Sequence, residues 1–170
     1  MKRSLGVLAA LMVSVAAMTL AGPASAEGGI FRASLSGAEE VPARDTLARG
    51  QAIFRPSGNG LLQYRLIVAN IRNVVASHIH CAPEGVNGPV GVTLFSGGVP
   101  GSGVVNGPLA SGTITAPDPG NGCGWVDLTD VLEAIASGDT YVNVHTNDGV
   151  APTNTGAGDF PGGEIRGQIS

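Results

Sequence analysis

Apolar and polar side chains alternate one by one along several short stretches, the period of a strand with one buried face. The clearest stretch is Leu61–Ala69, where Leu62, Tyr64, Leu66 and Val68 share one face and Gln63 and Arg65 the other. Similar runs predict strands at Phe31–Ser36, Gly50–Arg55, Val74–His80, Val90–Phe95, Ala110–Thr115, Thr140–His145 and Gly163–Ile169. Gly and Pro turn signals separate them. Eight short strands of this kind indicate a single all-β domain, a Greek-key-like β-sandwich or barrel, and suggest two packed sheets.

One segment changes period. Leu128, Val131, Leu132 and Ile135 recur at helical spacing behind Asp127, with Asp130 three residues after that cap and Gly138 as the stop. This predicts one short amphipathic helix whose apolar stripe closes an end of the core. Two loops, Gly97–Pro108 and Ala116–Gly124, are rich in Gly, Pro and Asn and suit tight turns better than a regular ladder. A third, Thr146–Pro161, exceeds ordinary loop length.

The N-terminus reads differently. Lys2 and Arg3 precede an apolar run from Leu5 to Leu20 and the small-residue exit Ala24-Ser25-Ala26, which predicts a cleaved signal peptide over residues 1–26. The run is short for a membrane span. Residues 27–170 then form one domain, secreted and extracellular, with no membrane span after cleavage. That domain carries seven arginines and no lysine against thirteen acids, a net charge of −6. Such a balance argues against nucleic acid and anionic membrane surfaces as partners. Cys81 and Cys123 are an even pair in an exported chain, the condition for a disulfide; two free buried thiols are the alternative.

Side-chain parity sets the candidate chemistry. His78 and His80 point to one face of their strand, Ile79 and Cys81 to the other. His145 ends the strand Tyr141–His145 on the face it shares with Tyr141 and Asn143. If the two strands are neighbours, the three histidines converge. Three neutral imidazoles suit copper or zinc, with a fourth position left to water or a carboxylate. The alternative is that the rings only hydrogen-bond loop carbonyls. Asp148, Asp159 and Glu164 are candidate fourth ligands, each with a more ordinary role in capping a turn or pairing with an arginine. Glu164 and Arg166 share a strand face, where an exposed pair contributes under about 1 kcal/mol.

Enzymatic signatures are sparse. The chain has no G-x-S-x-G elbow, no H-E-x-x-H and no G-x-x-x-x-G-K. Glu39 and Glu40 are adjacent, so on a strand they would face apart, and a general acid/base pair is not indicated.

Five blocks in order, L-S-G-A-E-E-V-P (35–42), L-Q-Y-R-L (62–66), H-I-H-C-A-P-E-G-V-N-G-P-V (78–90), Y-V-N-V-H-T (141–146) and P-G-G-E-I-R-G-Q-I (161–169), resemble the CHRD domain. The resemblance implies an extracellular all-β domain, found within growth-factor antagonists of the chordin type and in secreted bacterial proteins without a settled activity. It places family histidines at His78, His80 and His145. The chain departs from the pattern at 147–160, an insert beside His145.

The reading that follows is a non-enzymatic extracellular binding module with a copper- or zinc-binding histidine cluster, its partner an extracellular protein or a metal ion. Two alternatives stand beside it. One is a metal-dependent oxidoreductase similar to copper/zinc superoxide dismutase, although the chain lacks the further histidines of a two-metal site. The other is a structural interaction domain of the cell envelope.

Overall fold

The computed structural model describes residues 29–58 and 60–170; the expected signal peptide lies outside them. The strands are β1 (Phe31–Ser36), β2 (Arg49–Ser57), β3 (Leu61–Arg72), β4 (Val74–Cys81), β5 (Val90–Phe95), β6 (Val104–Ile114), β7 (Thr140–Thr146) and β8 (Ile165–Gln168). One helix, α1 (Leu128–Ala136), separates β6 from β7. All neighbouring strands pair antiparallel in a single sheet of order β5-β4-β7-β8-β1-β2-β3-β6. The sheet curls until its edge strands β5 and β6 approach each other, and the Tyr64 hydroxyl of β3 donates to the Leu94 carbonyl of β5 at 2.6 Å. The barrel form of the expected fold is therefore the one adopted, and the two separate sheets of a sandwich are not.

The predicted alternation places the core inside this barrel. Leu62, Leu66 and Val68 are buried on the face read from sequence, alongside Phe54, Ile79, Val142 and Ile165. Removing each such large apolar side chain from water contributes roughly 1.5–3 kcal/mol. Helix α1 begins as expected: the Asp127 carboxylate accepts from the Thr129 and Asp130 amides, and Asp130 reaches back to the Asp127 amide. Leu128, Val131 and Ile135 then close one end of the core.

Several expected boundaries move, and β2, β3, β4 and β7 all run longer than predicted. The loop Gly97–Pro108 is half strand, because β6 starts at Val104 and pairs with β3 through Gly107 and Pro108. An edge strand tolerates proline, whose missing N–H can face away from the ladder, and β6 slips register on either side of these residues. At the other end β6 stops at Ile114, one residue earlier than predicted. Strand β8 is shorter than Gly163–Ile169, since Gly163 (φ 130°) bends the chain before it can pair.

Cys81, at the end of β4, is disulfide-bonded to Cys123 across 42 positions of chain. The bond staples the loop that precedes α1 to the end of β4. Closing a loop of this length restricts the unfolded chain by about 4 kcal/mol in the chain-entropy treatment. The double variant Cys81→Ser/Cys123→Ser is expected to lose stability of that order in urea denaturation, and an unchanged midpoint would contradict it.

Candidate metal centre

Strands β4 and β7 are neighbours, and their register fixes the site. His78 lies opposite Asn143, His80 opposite Tyr141 and Ala76 opposite His145. Because Ile79, Val142 and Val144 fill the core face, all three histidines stand on the outer face. Their ring centroids are 4.9 Å (His78–His145), 5.7 Å (His78–His80) and 6.0 Å (His80–His145) apart. One nitrogen of each ring falls within 4.8 Å of the other two.

This outer face is not a solvent face. Tyr141, Asn143 and Arg166 are each at most 3% exposed. Three loops roof them. The 37–48 segment brings in Glu40, which accepts from Asn143 Nδ2 at 3.5 Å. The 82–89 segment receives Arg166 on the Pro83 carbonyl (3.2 Å) and Gln168 on the Ala82 carbonyl (2.9 Å). The 147–163 segment packs beside His145. Gly163 sits so close that a Cβ there would run into the Asn143 amide and the Glu40 carboxylate.

The same loops orient the rings. His80 Nδ1 lies 2.9 Å from the Gly88 carbonyl, and His145 Nδ1 lies 2.9 Å from the Pro161 carbonyl. A carbonyl can only accept, so both rings carry their proton on Nδ1 and present the Nε2 lone pair inward. His145 Nε2 meets His78 Nδ1 at 3.0 Å. His80 Nε2 is buried without a hydrogen-bond partner among the described residues. The His80 ring also stacks on Tyr141, at 4.8 Å and 9° from parallel, and the Arg166 guanidinium covers Tyr141 at 3.4 Å from its centroid.

Burial pushes His78 and His80 down to about 4, reinforced by the charge of His145 on both, of His80 on His78 and of Arg166 on His80. His145 is lowered as well, chiefly by burial, with its Pro161 hydrogen bond opposing. At neutral pH the cluster is therefore three uncharged imidazoles, the form that binds metals. Tetrahedral ligands about 2.0–2.1 Å from an ion lie roughly 3.3 Å apart. The His78–His145 pair, at 3.0 Å, is close to that spacing, and the His80 ligand nitrogen lies within 4.8 Å of both.

The candidate fourth ligands are engaged elsewhere. Asp148 accepts from the Val150 amide, and Asp159 from the Thr155 amide and hydroxyl. Glu164 accepts from Thr46 Oγ1, Thr146 Oγ1 and the Gly158 amide at 2.6–2.8 Å. The expected Glu164–Arg166 pair is replaced by these contacts, since Arg166 turns to Tyr141 and the Pro83 carbonyl. Sequence reasoning missed Glu40, whose block was visible but not its placement, and Asp118. Asp118 accepts from Thr93 Oγ1 at 2.6 Å, Thr93 lies opposite His78 in the sheet, and the charge of Asp118 acts on the His78 ring.

The eight-stranded antiparallel barrel, with loops folded over a three-imidazole cluster, is an all-β domain. The chain matches the family model of the CHRD domain over residues 31–169, and it belongs to that family. The match spans all eight strands, both cysteines and the three histidines. No match is found among curated proteins or among solved structures. CHRD domains are typically extracellular, and the disulfide fits an oxidising compartment. No helix among the described residues is long and apolar enough to cross a membrane.

Buried groups of opposite sense make stability depend on pH. The histidines sit below their ordinary 6.5 in the fold, so they cost stability as pH falls from about 6.5 toward 4. Glu40 is raised by burial from 4.5 to about 7 despite Arg166 and Arg44. Its contribution is full below pH 4.5 and is lost as pH rises through 7. Glu40→Gln removes only the second effect. Relative to the parent, the variant is expected to gain up to about 3 kcal/mol between these limits in a urea series across pH. A pH-independent difference would contradict a protonated Glu40.

Proposed function

We propose that this CHRD domain is a secreted, non-enzymatic binding module in which His78, His80 and His145 coordinate one copper or zinc ion. The observation that carries the reading is the convergence of three neutral imidazoles, one of them with a buried, unpartnered Nε2. A lone pair turned inward and kept from water is costly without a partner, and a cation supplies one. The carbonyls of Gly88 and Pro161 further support it, because metal-binding histidines ordinarily donate their other nitrogen to such groups. Imidazole donors suit zinc and copper alike. Three protein ligands leave one position for water or a group on a partner, so sequestration and metal-dependent adhesion are the modes of action.

A second reading rests on the same carbonyl contacts: the rings tie the 82–89 and 147–163 loops to the sheet and bind nothing. The two readings part on metal uptake. In equilibrium dialysis the purified protein is expected to hold one equivalent of zinc or copper, and the triple variant His78→Ala/His80→Ala/His145→Ala none. Bound metal also raises the melting midpoint, by the equivalent of about 2.7 kcal/mol at a free concentration one hundred times Kd. Equal uptake by both proteins, or no shift at saturation, would favour the buttressing role. Copper-loaded protein that dismutes superoxide faster than free copper would replace the non-enzymatic reading with an oxidoreductase.

A further inference from the structure

Resting on the metal reading, the geometry points to Asp118 as the positioning residue of the centre, the carboxylate that receives the outer N–H of His78 when His78 binds metal through Nδ1. Two of the three rings have their outer nitrogen fixed already: His80 Nδ1 faces the Gly88 carbonyl and His145 Nδ1 the Pro161 carbonyl. His78 is the exception. Its Nδ1 points inward, 3.0 Å from His145 Nε2. Since His145 carries its proton on Nδ1, the Nε2 it offers is a lone pair, and His78 donates Nδ1–H to it in the metal-free protein.

That proton occupies the position a metal would take. For all three inward nitrogens to offer lone pairs, His78 must move its proton from Nδ1 to Nε2, the outer nitrogen. An acceptor on that side favours the exchange. Asp118 is the acid that two contacts fix beside the strand next to His78: its carboxylate accepts from Thr93 Oγ1 at 2.6 Å, and its amide donates to the Gly91 carbonyl at 2.9 Å. Thr93 faces His78 across the β4–β5 ladder, so the carboxylate it holds lies one side chain away from the His78 ring. The centre thus has two neutral carbonyl acceptors, from Gly88 and Pro161, and one carboxylate acceptor on the loop stapled by Cys123. The donor set is mixed, Nδ1 from His78 and Nε2 from His80 and His145.

Zinc titration with a competing chelator, on the purified parent protein, Asp118→Asn and Asp118→Glu, provides the test, with ¹⁵N spectra of the labelled rings. Outer-sphere carboxylates on metal-bound histidines ordinarily change affinity by 10- to 100-fold. Asp118→Asn is expected to weaken zinc binding by such a factor, Asp118→Glu to restore part of it, and the metal-free melting midpoint to stay within a degree or two of the parent. In the zinc-bound parent the His78 proton should reside on Nε2, having resided on Nδ1 before zinc is added. If the parent binds zinc and Asp118→Asn binds it equally well, or if His78 coordinates through Nε2, Asp118 has no such role while the centre stands. If the parent takes up no zinc, the metal reading itself fails and the role of Asp118 falls with it.

Discussion

The antiparallel register of β4 against β7 is the constraint on which the remaining structure depends. Placing His78 opposite Asn143 puts Ile79 opposite Val142, so one pairing fills the core and builds the cluster at the same time. Because side chains alternate, a slip of one residue in either strand would turn its imidazoles into the barrel and its aliphatic residues into the polar layer. Burying a histidine among Phe54, Leu62 and Ile165 without a partner costs several kcal/mol, and exposing Ile79 and Val142 forfeits their burial. The same energetic term that makes the fold unique thus brings the three rings together, and no separate stabilising interaction has to assemble them.

The polar layer outside the barrel creates a different problem. Arg166, Glu40, Asn143 and His80 are all buried, and isolated charges there would be expensive. Arg166 answers with a stack on Tyr141 and acceptors from Pro83 and Asn87. Glu40 answers by favouring its neutral form. Glu164, more completely buried than either, binds two hydroxyls and an amide and so ties the 37–48 and 147–163 loops to the sheet. A roof of Gly- and Pro-rich loops is held by these side chains, which explains how segments with little regular structure cover the histidine cluster.

Much of this was legible because it follows from local rules. Parity alone put His78 with His80, and His145 with Asn143, on the correct faces, and the Asp127 cap with its apolar spacing marked α1. Parity does not reveal what lies over a face. Tyr141, Asn143 and His145 read as a polar side, but nothing near them in sequence shows that Glu40, a hundred positions away, covers Asn143. Strand β6 was obscured for another reason: Gly107 and Pro108 look like turn residues, and only an edge position beside β3 lets them join a ladder. The pairing of Glu164 with Arg166 was a good local inference that lost to Thr46 and Thr146, hydroxyl donors from distant segments.

The unequal treatment of the three histidines is informative about what the site is built to do. A cluster meant only to brace loops has every reason to engage each ring nitrogen, as His145 does on both sides. His80 departs from this. Its Nδ1 is tied to Gly88, its ring is held flat against Tyr141, and its buried Nε2 is aimed where His78 and His145 also converge. Fixing a ring so firmly while leaving its second nitrogen unpaired raises the free energy of the metal-free fold. On the proposed metal reading, a cation that accepts the lone pair would recover that energy on binding, and the fixed ring would preorganise the site for it.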